Sequence, residues 1–196
     1  MGDNEMEAYV HMSINTWFTA DTHLGHGRII EYTNRPFRDA AGRPDPQRMN
    51  AAILDRFNSV LRRGDVLYHL GDVSWSSYNK QTGFIDRLNT KEIHLVWGNH
   101  DHPKDFKQLP FRSFADIKSI TAAGQRFVLC HYPMRSWRGK GNGTMQLYGH
   151  CHNSLPGLGR QMDVGVDTND FYPWHVEDVI KKLKDVPFYP EEGKDD

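Results

Sequence analysis

Five short segments each place a metal-type side chain just after a strand-like apolar run. They are Asp21-Thr22-His23, Gly71-Asp72, Gly98-Asn99-His100-Asp101, Cys130-His131 and Gly149-His150-Cys151-His152. Asp, Asn and His bind hard and borderline divalent cations. Gathered in one place, such a set suits a two-metal centre that hydrolyses phosphate esters. Each piece alone is ordinary. Asp72 after Gly71 reads as a turn residue, Asn99 as a helix cap, His131 as a satisfied, half-buried histidine. It is the ordered series that argues for one site.

The elements that must position these residues alternate. Residues 14–20 read as a strand ending at Asp21. Residues 24–46 form a long loop with a short helix near 28–32, and a loop of that length in a compact domain is usually functional. Met49, Ile53, Phe57, Val60 and Leu61 recur at helical spacing, which predicts a helix over 46–62 opened by Pro46. Residues 65–70 and 92–97 are further strands, with a helix near 78–89 between them. This βαβαβ order implies a mostly parallel sheet with helical crossovers. In such sheets ligands gather beyond the carboxyl ends of the strands. The second half predicts strands over 114–121 and 126–130 joined by a tight turn, short strands over 145–148 and 162–166, and a helix over 174–183. Residues 1–12 read as a loose start, 13–186 as a single domain and 187–196 as a polar tail.

Composition narrows the classes. The chain has 196 residues, 38% hydrophobic and 12% aromatic, enough for a real core. Its formal net charge of -1 counts against a dedicated binder of long nucleic acid, which carries a basic excess. No apolar run reaches the length of a membrane span. The acidic start, Met1-Gly2-Asp3-Asn4-Glu5, lacks the apolar segment of a secretory signal. The expected location is cytoplasmic, with Cys130 and Cys151 as free thiols. If His150 and His152 face a metal from an extended segment, Cys151 faces away and packs as a small hydrophobe.

The segments DTH, GD, GNHD, the lone His131 and GHCH resemble the successive motifs of the calcineurin-like metallophosphoesterases. DTHLGHGRII followed by NRPF is similar to small stand-alone bacterial and phage members. The resemblance implies an α/β fold: a four-layer α-β-β-α sandwich of two mixed β-sheets flanked by helices, with a dinuclear metal site at the strand C-terminal ends. It implies two divalent ions. Asp21, His23 and His152 would hold one, Asn99, His131 and His150 the other, and Asp72 would bridge both. A solvent species between the ions would become the nucleophilic hydroxide. His100 would protonate or stabilise the leaving oxygen. Asp101 would orient His100 by accepting its other N–H.

Mixed oxygen and nitrogen donors favour manganese, with iron, zinc or nickel also suited. The expected activity is hydrolysis of phosphodiester bonds in small nucleotides: cyclic or 2′,3′-cyclic nucleotides, or short RNA ends. A phosphomonoesterase and a catalytically silent scaffold are the alternatives. The expected partner is a small phosphorylated substrate, a nucleotide, with neither membrane nor long nucleic acid. Arg28 and Arg135 are the expected substrate contacts, since the guanidinium fork fits phosphate. Tyr132 and Trp137 are candidates to stack on a base. His26 either reaches the substrate or the hydroxide, or makes a hydrogen bond that stabilises its loop. Arg38, Arg43 and Lys140 read as solvated surface charges, and His69 and His94 as structural.

Overall fold

Residues 15–75 and 83–187 are described in the computed structural model of the chain. The loose start, His11, the first residue of the first strand, the opening of the helix near 78–89 and the tail from 188 onward lie outside the described residues.

Strands β1 (Thr16–Thr19), β2 (Val66–His69) and β3 (Glu92–Val96) run in parallel, with Thr16 opposite Val66 and Leu67 opposite Ile93. Helices α1 (Gly27–Tyr32), α2 (Pro46–Val60) and α3 (Phe84–Arg87) lie between them in the chain. The start of α2 is fixed locally: the Asp45 carboxylate caps the Arg48 N–H at 2.9 Å, and Pro46 fills the first turn. Helix α4 (Pro103–Phe106) follows β3 and leads to β4 (Ser113–Ala115), which joins β3 in parallel.

The chain then changes sheets. β5 (Ile117–Ala122) and β6 (Gln125–Cys130) form an antiparallel hairpin, and β7 (Met145–Tyr148) and β8 (Gln161–Asp163) add in parallel. Finally β9 (Trp174–His175) pairs antiparallel with β1 and runs into α5 (Val176–Leu183). The strand orders are β4-β3-β2-β1-β9 and β5-β6-β7-β8. These are the two mixed sheets, flanked by helices, that the family resemblance implies.

Alternation along the first sheet divides the core. Leu67, Ile93 and Leu95 face the helices with Met49, Ile53 and Phe57 of α2. Phe18, Leu70 and Val96 face the second sheet and meet Phe127, Leu129, Met145 and Leu147. Helix α5 buries Val176, Val179 and Leu183 in this second cluster. Its Glu177 and Asp178 in the first turn and Lys181 and Lys182 in the last complement the helix dipole.

Several boundaries differ from expectation. The apolar run 114–121 is two strands in two sheets, parted at Asp116. A direct crossing between sheets leaves no turn signature. Strand β8 stops at Asp163 because its carboxylate accepts the Gly165 N–H at 2.7 Å and turns the chain; Val166 opens a 3-10 turn, Val166–Thr168. Trp174 and His175 are strand, not helix, since they pair with Phe18 and Trp17. Within the described part of the helix expected over 78–89, Gly83 is left-handed at φ 55 and caps α3, which ends at Arg87.

On the outer side of the second sheet, buried Gln146 and Gln161 hold the segment 132–144. The Met134 carbonyl accepts from Gln161 Nε2 at 2.7 Å. Trp137 is buried there, and its indole N–H donates to the Thr144 carbonyl at 2.8 Å, so it is packing and not a base platform. Lys140 is likewise no solvated charge. Its Nζ is tied to the Arg135 carbonyl at 2.8 Å and lies over the Trp137 ring. Arg38 and Arg43 do remain on exposed loop surface. His69 and His94 are packed within strands, bonded to Thr22 and Ser113.

Candidate metal centre

Parallel pairing outlasts the strands, and this builds the site. Beyond β1 and β2, the chain keeps a ladder of bonds: Asp21 N–H to Gly71 O, His23 N–H to Asp72 O and Leu24 N–H to Val73 O, each at 3.0 Å. Asp21, His23 and Asp72 thus emerge side by side. From the second sheet, the Gly149 N–H donates to His131 O at 2.9 Å, which sets His131 beside His150. The two halves are joined directly: the His150 N–H donates to Asp21 Oδ2 at 2.8 Å.

The backbone is held in an unusual state here. Among the described residues ten non-glycine residues have positive φ, and five of them are Asp21, His23, Asp72, His150 and His152. Left-handed backbone costs such residues energy and persists where surroundings over-determine it, often at functional sites. Two glycines are required by close approach. A Cβ at Gly71 would meet the Gly98 backbone and His131 Nδ1, and one at Gly149 would stand 2.7 Å from Asp21 Oδ2.

Two groups of ligand-type atoms result: Asp21, His23 and His152, and beside them Asp72, His131 and His150. Asn99 belongs with the second. Its Oδ1 lies 3.1 Å from His131 Nε2 and 3.0 Å from His150 Nδ1. Asp72 Oδ2 stands between the groups, 3.6 Å from His23 Nε2 and 3.5 Å from His131 Nε2. Two ring tautomers are set from behind. His131 Nδ1 donates to the Leu70 carbonyl at 2.7 Å, and His152 Nδ1 to Asp167 at 2.7 Å, so each presents Nε2 forward.

Do these residues suit cations? Asp21 Oδ1 and His23 Nε2 are buried with no hydrogen-bond partner among the described residues. Buried polar atoms are as a rule satisfied, and of the six described side-chain atoms left without a partner these two belong to one group of ligand-type residues, with His152, which calls for a ligand. The donors are carboxylate, amide oxygen and imidazole, a set for borderline divalent ions. The residues fit a metal pair.

Electrostatics agree. Burial pushes the Asp21 carboxyl up to about 7 despite His152 and His131 nearby. Burial drives His23 down to about 2, so its ring is neutral and free to coordinate. For His131, burial opposes protonation, but the Asp72 carboxylate and the Asp21 charge lift it to about 9. Asp72 lies below the usual carboxylate range: burial works against this, and the His131 bond, its charge and the His100 N–H outweigh it.

Ion binding therefore displaces protons held by Asp21 and His131. The sign is definite. Both groups have folded pKa values above their model values of 3.8 and 6.5, so their contribution to metal-free stability is present at low pH. It is lost as pH rises through about 7 for Asp21 and about 9 for His131. Ions need both groups deprotonated. The rise in Tm on adding manganese should grow from about pH 6 to about pH 9, with protons released on binding. Calorimetric melts with and without the ion would read it; a gain that is flat or shrinks with pH contradicts the site.

The other expected residues are placed as follows. His100 lines the groove; its ring is 5.6 Å from His23, and its backbone N–H donates to Asp72 Oδ1 at 2.9 Å. Asp101 is a correction. Its carboxylate does not receive the His100 ring but accepts the backbone N–H groups of Asp72 at 2.8 Å, Val73 at 3.0 Å and Gly98 at 2.9 Å. It fastens two ligand-bearing turns together. Facing Asp72 and its loop, the carboxylate is turned to these three donors and not to the His100 imidazole. Arg28 lines the groove, whereas Arg135 is exposed and not part of that lining. Among the described residues the buried Nδ1 of His26 has no hydrogen-bond partner, and the ring stacks on Trp75. Cys151 also lines the groove, contrary to expectation. The two-faced rule fails because His150 and His152 at φ 70 and 45 are not extended. Both cysteines are free.

The sequence reading passed over one buried assembly. Arg35, 1% exposed, grips Asp167 with two bonds of 2.7 Å and also donates to the carbonyls of Asp21 and Thr22. Asp167 in turn holds His152. Hydrogen bonds from His152 and Arg35 pull it down to about 2 against the effect of burial. Arg35 and Asp167 lie 132 positions apart, and the single hint was NRPF. Asp167→Asn should weaken metal binding about 10–100-fold. It should also cost about 3–5 kcal/mol by leaving Arg35 buried and unpaired. Metal titration and melting test this; unchanged affinity would remove Asp167 from the site.

Ligands from five strand ends of two mixed sheets define the frame of a dinuclear metallohydrolase. The model of the calcineurin-like phosphoesterase family matches residues 14–189, and the chain belongs to that family, whose members bind divalent metals. An uncharacterized protein of Methanocaldococcus jannaschii is 27% identical over 178 residues, covering 86% of this chain and 90% of that protein. The gene 66 protein of Mycobacterium phage L5 is 28% identical over 188 residues, covering 78% of this chain and 86% of its own length. Among solved structures, a protein of unknown function from Aquifex aeolicus aligns with a TM-score of 0.68 and 26% identity, over 87% of this chain and all of that one. Among the described residues no helix is long and apolar enough to cross a membrane.

Proposed function

We propose that this protein is a dinuclear-metal phosphodiesterase acting on small nucleotides, with manganese as the working metal. The observation that carries the reading is the placement of Asp72 Oδ2 within 3.6 Å of imidazole nitrogens from both ligand groups. Asp21, His23 and His152 would hold one ion, Asn99, His131 and His150 the other, and Asp72 would serve both. When bound, the ions supply charge neutralisation for the phosphate and activation of a water.

The residues of the chain do the rest. Arg35 and Asp167 fix the His152 ring, and Leu70 O fixes that of His131. Asp101 locks the turns carrying Asp72 and Asn99. His100 stands at the groove edge, where its ring can deliver a proton to the departing oxygen. The groove beside the centre has a volume of about 590 Å³ and is lined by Arg28, Thr33 and Ser154 among others. That volume, which includes the space between the ligand groups, leaves room for an ester with a substituent on each side of phosphorus. Arg28 offers a fork for phosphate oxygens. The chain's near-neutral charge favours small substrates over long nucleic acid.

The test is a panel of nucleotide monoesters, linear diesters and cyclic diesters offered to manganese-loaded protein, with metal analysis of the same sample. Preferential diester hydrolysis with two ions per chain is expected. Hydrolysis of monoesters alone would replace the reading by a phosphomonoesterase, and bound metal with no hydrolysis by a scaffold.

A further inference from the structure

One side of the groove is aromatic, and nothing in the ion-binding set accounts for it. Trp75 is 50% exposed and Tyr32 70% exposed, and both line the groove. A single exposed aromatic is ordinary. Here the rings are organised. The Trp75 ring lies on the His26 imidazole, centroids 4.7 Å apart and planes within 27°. His26 in turn packs against the ligand His23 at 5.6 Å. The indole is thus fixed relative to the ions through a ladder of rings, and half of its surface remains open. Along the same groove, Arg28 and Tyr32 are four apart on α1 and share a face, while Ile29 and Ile30 anchor the helix in the core.

His100 gives the groove a direction. Its ring lies 5.6 Å from His23 and 6.1 Å from Trp75, between the ion ligands and the indole. A group that departs with a proton from His100 departs toward Trp75. Resting on the phosphodiesterase reading, we propose that the Trp75–His26 stack is a nucleobase subsite that seats the base of the departing nucleoside, with Tyr32 and Arg28 as its outer wall.

The chemistry explains the composition. An aromatic face binds any base through its π-surface, and a guanidinium can lie over the opposite side. Thr33 and Ser154 line the same cavity; their hydroxyls donate to the Ile29 and Cys151 carbonyls and keep oxygen lone pairs that can accept from ribose hydroxyls. Stacking on an aromatic face reads no base edge, so the subsite tolerates all bases and favours purines by stacking area.

Two substrates with one phosphate environment test it: a dinucleoside phosphate, and a nucleoside methyl phosphodiester from which methanol departs. Trp75→Ala should raise KM for the dinucleoside phosphate about 5- to 150-fold more than for the methyl ester. Trp75→Phe should restore most of the difference. As a readout independent of catalysis, adenosine should shift the indole N–H resonance of Trp75, identified by its loss in Trp75→Phe, in metal-free and metal-loaded protein alike. Equal KM effects on both substrates, or an indole resonance that adenosine leaves unmoved, would overturn the subsite. If wild type cleaves neither diester yet adenosine moves the Trp75 signal, the subsite stands and the phosphodiesterase reading falls. If both diesters are cleaved without selective loss in Trp75→Ala, the reading stands and the subsite falls.

Discussion

Asp72→Ala yields a chain that keeps both sheets and loses both ions together with all phosphoesterase activity. Asp72 Oδ2 faces imidazole nitrogens of the two ligand groups at 3.6 and 3.5 Å. Two dications about 4 Å apart repel by roughly 17 kcal/mol even at an effective dielectric constant of about 20. A shared anion is what makes such a pair possible. Removing it therefore costs more than one ligand bond and empties both positions. The fold survives because Asp72 is held by its backbone, with N–H to Asp101 at 2.8 Å and carbonyl to His23 N–H at 3.0 Å. Alanine at φ 56 adds some strain. Asp72→Asn is the cleaner companion, since Asn tolerates that backbone and still accepts the His100 N–H. Elemental analysis, circular dichroism and diester hydrolysis read the outcome. Two ions and normal turnover in either variant would end the bridging assignment.

The ion-binding residues were legible because each travels with its strand: a residue one to four places past an apolar run must lie at that strand's end. GD, GNHD and GHCH carry their own glycines, and Gly71 and Gly149 prove to be where a side chain would collide with the site. What was not legible depends on contacts between distant segments. Arg35 is one of four arginines between residues 24 and 46, and only folding shows it gripping Asp167 behind His152. Asp101 looked like the partner of its neighbour His100, but the turn points it back at the Asp72 loop. Trp75 stands three places after Asp72 as His26 stands three after His23, and the bridge pairing Leu24 with Ser74 sets the two rings together. That parallel was visible in the sequence, but its meaning requires knowing that β1 and β2 are neighbours. The sheet change at Asp116 had no signal, because the residues on both sides have strand character.

His100→Ala should keep both ions and lower kcat about 10²–10⁴-fold on diesters with a nucleoside leaving group. Metal retention follows from which atom binds Asp72: it is the backbone N–H, at 2.9 Å, and alanine supplies the same one. The loss in rate follows from the ring's place between His23 and Trp75, at the exit of the departing oxygen. A proton donor matters in proportion to the basicity of the group that leaves. A nucleoside alkoxide must be protonated as it departs, whereas p-nitrophenolate need not be. The variant should thus lose far less on a p-nitrophenyl diester. Asp101→Asn separates proton delivery from simple positioning. Its carboxylate secures the turns of Asp72 and Gly98 and does not touch the His100 ring, so its loss should fall equally on both leaving groups and bring weaker metal binding. A His100→Ala protein short of metal, or one impaired equally on both esters, would place His100 among the ligands or the supports and leave the departing oxygen to another donor.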